Sequence, residues 1–237
     1  MSATGPPEQD TEAALDVEAL QARPEEQRAN DHALPPEERE GPEEGEELAA
    51  ARAPVQPIGS TCLRTFKAVH DSGTRPESDI NHIIIHCTQG STAKGAASWF
   101  ANKASGGSAH LVVDDVVCYR TLDNGQIPWG AAGANRSGFH IEHAGFAEWD
   151  HAKWMRHEQT LRRGAQKAAQ HAVKFGIPLK VLSADDLRRG RSGFVTHATV
   201  TQVFPKGNAG HHDPGPGFPL DHYMKLVKQF AAEIQQQ

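Results

Sequence analysis

Cysteine is scarce in this chain, and the cysteines present are not arranged in pairs. The 237 residues include 3 cysteines, at positions 62, 87 and 118, and none of them has the CxxC spacing of a cysteine zinc site. An odd and widely separated set also argues against a disulfide framework. We therefore expect neither disulfides nor cysteine-bound metal.

Long apolar runs are missing as well. No segment approaches the roughly 18 consecutive apolar residues that a membrane-spanning helix needs. The N-terminus lacks the positively charged stretch and following apolar run of a secretory signal. We expect a protein without a membrane span that is synthesised in the cytoplasm without a signal peptide.

Aromatic residues are absent before Phe66, and the same region is strongly acidic. Residues 1–54 hold 15 of the 30 acidic and 4 of the 24 basic side chains, so the rest of the chain is mildly basic. A segment so poor in apolar surface cannot offset the entropy lost on ordering. We expect a disordered acidic N-terminal tail over residues 1–55 and one folded domain over 56–237. Whether the tail is a solvated leader, a mobile cover for the basic body or a docking arm stays open.

Strand patterns come mostly early in the folded part. Residues 82–87 form a β-branched run that is typical of a buried strand. Residues 110–120 read as a hairpin that turns at Asp114-Asp115. Residues 138–143 alternate apolar and polar side chains, which predicts a half-buried strand.

Helix patterns lie between and after these strands. An alanine-rich segment that ends before two glycines predicts a helix over about 93–103. Apolar residues at helical spacing predict helices over about 157–175 and 220–234. Gly176 and Pro178 close the helix over 157–175. The order of elements predicts an α/β fold, with a mixed central β-sheet flanked by helices.

Three side chains far apart in the sequence have the chemistry of a catalytic metal site. His86 ends the apolar strand, His197 follows Thr196, and Asp213 precedes Pro214 in a turn-like run. Two imidazoles and a carboxylate suit a zinc ion that leaves its fourth position to water. The chain has 14 histidines, so spacing alone does not establish the site.

The body of the chain resembles the zinc-dependent N-acetylmuramoyl-L-alanine amidases of the type-2 family, which includes the peptidoglycan recognition proteins. The resemblance runs from about residue 83 to 230. The matching segments, in the family's order, are Ile84-Ile85-His86-Cys87-Thr88, Ser108-Ala109-His110-Leu111-Val112, Gly138-Phe139-His140-Ile141-Glu142, Thr196-His197-Ala198 and Asp213-Pro214-Gly215-Pro216-Gly217-Phe218. The Asp-Pro-Gly-Pro run with its upstream Thr-His is the most specific part. The chain looks closest to actinobacterial and actinophage members, some of which are endolysins.

The resemblance implies a set of roles for these residues. Zinc would be bound by His86, His197 and Asp213. Glu142 matches an acidic residue that would accept a proton from water and pass it to the leaving amine. His110, His140 and other nearby histidines have no role beyond support of the site.

Two positions depart from the family pattern. Many relatives have lysine two residues before the metal-binding aspartate, where this chain has His211, which could stabilise an oxyanion when protonated. Lys206 is the alternative group for that task. Trp129 is followed by glycine, whereas relatives commonly show Trp-His-Ala-Gly. We expect Trp129 to form an apolar wall of the substrate cleft, with a place in the core as the alternative.

The function that the resemblance implies is hydrolysis of the amide between N-acetylmuramic acid and L-alanine in peptidoglycan. The expected cofactor is Zn²⁺, the partner is peptidoglycan or a muropeptide, and the protein is expected to be a monomer. A recognition module that binds peptidoglycan without cleaving it is the alternative. No nucleic-acid motif accompanies the mildly basic body, so no nucleic-acid partner is expected. An endolysin, a recycling amidase acting on cytosolic wall fragments and an exported effector all stay open.

Overall fold

The computed structural model describes residues 61–236. The acidic tail expected over residues 1–55 and the domain boundary after residue 55 lie outside the described residues. Both stay predictions.

Two β-sheets form within the described range. The strands are β1 (Asp71–Thr74), β2 (His82–Cys87), β3 (Leu111–Val113), β4 (Cys118–Arg120), β5 (Gln126–Pro128), β6 (Gly138–His143) and β7 (Gly193–Thr196). The larger sheet has the order β4-β3-β6-β2-β7, and the smaller one pairs β1 with β5. In the larger sheet β3, β6, β2 and β7 are parallel, and β4 is antiparallel to β3. The predicted mixed sheet and the hairpin are therefore confirmed.

Helices cover both faces of the larger sheet. They are α1 (Ala93–Phe100), α2 (His151–Arg156), α3 (Glu158–Phe175), α4 (Ala184–Arg188), α5 (His197–Val203) and α6 (Leu220–Gln235). The three predicted helices correspond to α1, α3 and α6, although α1 ends before the predicted Lys103. Helix α3 ends at Gly176, whose φ of 68° is left-handed and favours glycine.

The sheet is buried on both sides. On one side Ile83 and Ile85 join Phe139 and Ile141 in a core that α3 and α6 complete. On the other side Ile84 packs with residues of α4, β7 and α5. Parallel sheets are generally covered on both faces in this way, because the connecting helices lie over them.

The prediction of a half-buried strand at 138–143 was wrong. All six residues of β6 are buried. The strand lies between β3 and β2, so its polar side chains have no path to solvent from the sheet edge. His140 and Glu142, which alternate with Phe139 and Ile141, are therefore held inside the protein.

The expectation that the cysteines form no disulfide was also wrong. Cys62 is bonded to Cys118 across 56 residues of sequence, with a Cα–Cα distance of 4.7 Å. The segment before β1 runs beside β4, since the Leu63 amide donates to the Cys118 carbonyl at 2.8 Å and the Arg120 amide donates to the Leu63 carbonyl at 2.7 Å. Only this tertiary contact brings the two cysteines together. Cys87 is a buried free cysteine.

Loss of the disulfide is predicted to destabilise the domain. A disulfide that closes a loop of this length lowers the conformational entropy of the unfolded chain. In the chain-entropy model this stabilises the folded state by about 4 kcal/mol. We expect the free energy of urea unfolding to fall by up to that amount in the Cys118→Ser variant. Thiol titration of the unreduced, denatured wild type should find one free cysteine. Finding three, or equal stability of the variant, would contradict the pairing.

A buried histidine on α3 makes stability depend on pH. His171 Nδ1 donates to the Lys167 carbonyl at 2.8 Å, and Nε2 accepts from the Arg120 guanidinium at 3.2 Å. Its ring stacks on Phe139 with centroids 3.9 Å apart. Burial, with the charge of Arg120, lowers the pKa of His171 to about 4. The neutral ring is therefore the form that fits the fold.

Acid is predicted to destabilise the wild type more than the His171→Gln variant. The unfolded histidine has an ordinary pKa of 6.5, so the unfolded state binds an extra proton between pH 6.5 and 4. Stability due to this residue is full above pH 6.5 and falls as the pH drops towards 4, by up to about 3 kcal/mol. Urea unfolding at several pH values would measure the difference. Parallel pH curves for the two proteins would contradict this assignment.

Candidate metal centre

Three neighbouring parallel strands deliver polar side chains to one edge of the sheet. His86 of β2 is the register partner of Glu142 of β6. Ile85 of β2 is paired with Thr196, so His197 follows β7 at the level of His86. Because the carboxyl ends of parallel strands meet at the same edge, the three side chains lie together.

His197 is the first residue of α5, and its position is fixed by a helix cap. The Thr196 side chain accepts a hydrogen bond from the Thr199 amide and so caps the helix. The turn from strand to helix therefore occurs at His197. The imidazole is buried, with 1% of the residue exposed.

Asp213 reaches the same place from the loop after α5. The Ala198 amide donates to the Asp213 backbone carbonyl at 2.9 Å, and the Cys87 amide donates to Oδ2 at 3.4 Å. At Gly215, φ is 85° and a Cβ would collide with the Ala147 carbonyl. The loop is thus tied to β2 and α5 and packs closely on the segment that follows β6.

The three predicted ligands meet around one point. His86 Nδ1 lies 3.1 Å from Asp213 Oδ2, and His197 Nδ1 lies 2.9 Å from Asp213 Oδ1. One ligand atom from each residue lies within 4.8 Å of the others, and all three residues are buried. In residues 61–236 no other group of histidine, cysteine or acidic side chains has this arrangement.

The protonation states of these groups suit a cation. Although burial opposes ionisation, the positive charge and hydrogen bond that His197 supplies when its ring is fully protonated, followed by those of His86, hold the pKa of Asp213 well below its usual value. Burial lowers the pKa of His86 in spite of its hydrogen bond to Asp213. An ionised carboxylate and a neutral imidazole are the forms that bind zinc. The donor set therefore fits a metal ion.

Glu142 is a buried carboxyl group beside this cluster. Only 1% of the residue is exposed, and its Oε2 has no hydrogen-bond partner among the described residues. Burial raises its pKa well above the usual value, and the charge of Asp213 adds to the effect. A raised pKa favours the protonated form of the carboxyl group, and perturbed carboxyl groups of this kind are common among catalytic acids and bases.

The far nitrogens of both histidines are held by neighbours. His86 Nε2 lies 3.0 Å from Nδ1 of His140, and the two rings stack. His197 Nε2 lies 3.2 Å from Oδ1 of Asn208. Such contacts fix the orientation of metal-binding imidazoles.

The sequence patterns predicted no specific role for His140 and did not indicate Asn208 at all. A Cβ at Gly130 would collide with the His140 ring, so the glycine that departs from the family pattern makes room for this histidine. That departure was the available signal for His140. Nothing in the spacing of Asn208 marked it.

His211 lies beside the cluster, whereas Lys206 and His212 are exposed. The His211 ring stacks on His197 with centroids 4.6 Å apart, and its Nδ1 is 3.9 Å from Asp213 Oδ1. Lys206 and His212 are at the surface. His212 Nε2 lies 3.9 Å from Glu148.

Trp129 lies at the end of the smaller sheet. It follows β5, its ring stacks on His70 with centroids 4.8 Å apart, and its Nε1 donates to Ser72 Oγ at 2.8 Å. The residue is partly buried. Its indole is thus held in one orientation at the start of the loop that contains Gly130.

The family model for N-acetylmuramoyl-L-alanine amidase matches residues 76–216. This range includes the three clustered residues, Glu142 and His211. The chain belongs to this amidase family. It is therefore an enzyme that hydrolyses peptidoglycan at the amide between N-acetylmuramic acid and L-alanine.

Solved structures share the fold. The hydrolase AmiA of Staphylococcus aureus, solved with its ligand, has 18% identity and a TM-score of 0.58, with 86% of this chain and 98% of AmiA covered. PlyL has 13% identity and a TM-score of 0.51 over 72% of this chain and 96% of its own. The catalytic domain of XlyA has 18% identity and a TM-score of 0.50 over 70% of this chain and 99% of its own.

No curated protein matches the chain. In residues 61–236 no helix is long and apolar enough to span a bilayer.

Proposed function

We propose that this amidase uses a zinc ion held by Nδ1 of His86, Nδ1 of His197 and the carboxylate of Asp213. The observation that supports it best is the convergence of two buried imidazoles on a single buried carboxylate, at 3.1 and 2.9 Å. Zinc in such a site lowers the pKa of water and polarises a substrate carbonyl. The chain's own side chains would do the rest of the chemistry.

Glu142 is the proposed general base and acid. It lies on β6 opposite His86 of β2, and its Oε2 has no hydrogen-bond partner among the described residues. It would take a proton from the attacking water and deliver it to the leaving nitrogen of L-alanine. A buried carboxyl with a raised pKa suits both halves of that transfer.

His211 is the proposed oxyanion donor. Its contact with His197 and its distance of 3.9 Å from Asp213 keep the ring beside the cluster. A protonated imidazole there would donate to the oxygen that becomes negative during attack on the carbonyl. Exposure of Lys206 favours His211 over that lysine.

Trp129 is the proposed wall of the substrate cleft. Its indole is oriented by Ser72 and His70, and the next residue, Gly130, abuts His140. An aromatic ring held in this way can pack against the apolar face of a sugar or the stem peptide.

The biological setting is also part of the proposal. A disulfide between Cys62 and Cys118 persists best in an oxidising environment. This favours action on the wall after release or export over recycling of cytosolic fragments. The acidic tail over 1–55, the domain over 56–237 and the monomeric state stay predictions.

The metal proposal predicts loss of zinc and activity in His197→Ala. Purified wild type should contain about one zinc per chain, and removal with a chelator should abolish release of new N-terminal alanine from isolated walls. Zinc should restore it. Glu142→Gln should retain zinc yet lose about 10²- to 10⁴-fold in kcat, because only proton transfer is removed.

The comparison of these two variants separates the roles. Thermal unfolding would verify that both are folded. Full activity of the chelated wild type would exclude the zinc mechanism, and full activity of Glu142→Gln would exclude the proposed base. Muropeptide binding without turnover by zinc-loaded wild type would instead support a recognition module.

The paired variants His211→Ala and His212→Ala test the oxyanion donor. The residues are adjacent, but only His211 packs on His197, while His212 is exposed. We expect His211→Ala to lower kcat by about 10²-fold or more, as loss of an oxyanion donor does, with KM little changed. His212→Ala should retain wild-type kinetics. Equal kinetics of the two variants would remove His211 from the mechanism.

A further inference from the structure

We propose that Asn208 is a positioning residue that keeps the proton of His197 on Nε2 and so leaves Nδ1 available for the metal. Asn208 lies in the segment between α5 and Asp213, and only 1% of it is exposed. It contacts Nε2 of His197, on the opposite side of the ring from Asp213.

The orientation of the Asn208 amide is fixed by backbone groups. Its Oδ1 accepts from the Ala132 amide at 2.9 Å. Its Nδ2 donates to the Ala132 carbonyl at 2.9 Å and to the Phe204 carbonyl at 2.6 Å. If the amide were flipped, its NH₂ group would face the Ala132 N–H, and its oxygen would face the carbonyls of Ala132 and Phe204. Since unpaired buried polar groups are costly, the oxygen must point towards Ala132 N and His197.

This orientation decides which nitrogen of His197 carries the proton. Asn208 Oδ1 lies 3.2 Å from Nε2, and an amide oxygen can only accept. Nε2 must therefore be the donor. In the neutral ring, Nδ1 is then left with its lone pair.

The bare nitrogen faces a carboxylate. Nδ1 of His197 lies 2.9 Å from Oδ1 of Asp213, so two electron-rich atoms meet in a buried site. A proton or a metal ion between them turns this repulsion into attraction. Asn208 thus prepares the cluster for a cation before one arrives, and in this respect the inference rests on the proposed zinc site.

Asn208 also links the segments that surround the cluster. Its side chain ties the loop of Ala132 to the end of α5 at Phe204, and its backbone carbonyl accepts from the His211 amide at 3.0 Å. Loss of this side chain would therefore free the His197 ring while the hydrogen bonds of β7 and the Thr196 cap stay in place.

The first test is the tautomer of His197 in the metal-free protein. ¹⁵N-detected NMR of labelled full-length protein at mildly alkaline pH distinguishes protonated from bare ring nitrogens. We expect a protonated Nε2 in the wild type. In Asn208→Ala, Asp213 would draw the proton to Nδ1, and Nε2 would become bare. A bare Nε2 in the wild type, or unchanged signals in Asn208→Ala, would overturn the assignment.

The second test is zinc affinity, measured by competition with a chromophoric chelator. Asn208→Ala should bind zinc about 10- to 100-fold more weakly, as is typical when a partner of a ligand imidazole is lost. Asn208→Asp keeps an acceptor towards Nε2 and should retain affinity within about threefold of wild type, although it loses both donated hydrogen bonds and some stability.

Asn135→Ala is the matched control. Asn135 is equally buried, and its Oδ1 accepts from the Gly130 and Ala131 amides in the same loop. We expect this variant to lose thermal stability while its zinc affinity stays near wild type. An equal loss of affinity in Asn135→Ala, or wild-type affinity in a folded Asn208→Ala, would reduce Asn208 to a general structural role and contradict the proposal.

The outcomes distinguish failure of the Asn208 inference from failure of the proposed zinc mechanism. A protonated Nε2 in a protein that binds no zinc would retain the tautomer assignment and remove the metal mechanism. A zinc-dependent amidase whose wild type has a bare Nε2 would retain the mechanism and remove the role of Asn208.

Discussion

The parallel pairing of β2 with β6 on one side and β7 on the other is the constraint on which the site depends. It places His86 opposite Glu142 and brings the end of β7 beside Ile85. Side chains alternate between the two faces of a strand, so a shift of one residue would turn His86 towards the helices α3 and α6. The apolar face of Ile83, Ile85, Phe139 and Ile141 prevents that shift.

A buried polar network connects His86 to residues near the start of the same strands. His86 contacts His140, the His140 amide donates to His110 Nδ1 at 3.0 Å, and Arg75 lies 3.3 Å from His110 Nε2. Arg75 in turn donates to the Gly138 carbonyl at 2.8 Å. Most of the polar atoms in this network are paired, although His140 Nε2 and Arg75 Nε have no hydrogen-bond partner among the described residues. Paired buried polar groups hold one another rigidly. The polar contacts of His86 thus extend well into the protein.

Much of the fold could be predicted because it depends on local patterns. The β-branched run of β2 and the apolar stripes of α3 and α6 carry their own periodicity, and Gly176 ends its helix by a local conformational preference. The burial of β6 could not be predicted, because apolar and polar residues can alternate in the same way in a strand at the edge of a sheet and in one at its centre. The Cys62–Cys118 bond also depended on the path of the segment before β1.

The sequence by itself determined the α/β class, the family and the candidate ligands His86, His197 and Asp213, because these are matters of residue type and order. Only the tertiary structure decided which nitrogen of each imidazole faces the carboxylate and which neighbour holds the other nitrogen. His140 reaches His86 through space left at Gly130, and Asn208 reaches His197 from the following loop. Such contacts depend on how distant backbone segments pack, and periodicity and spacing do not encode that packing.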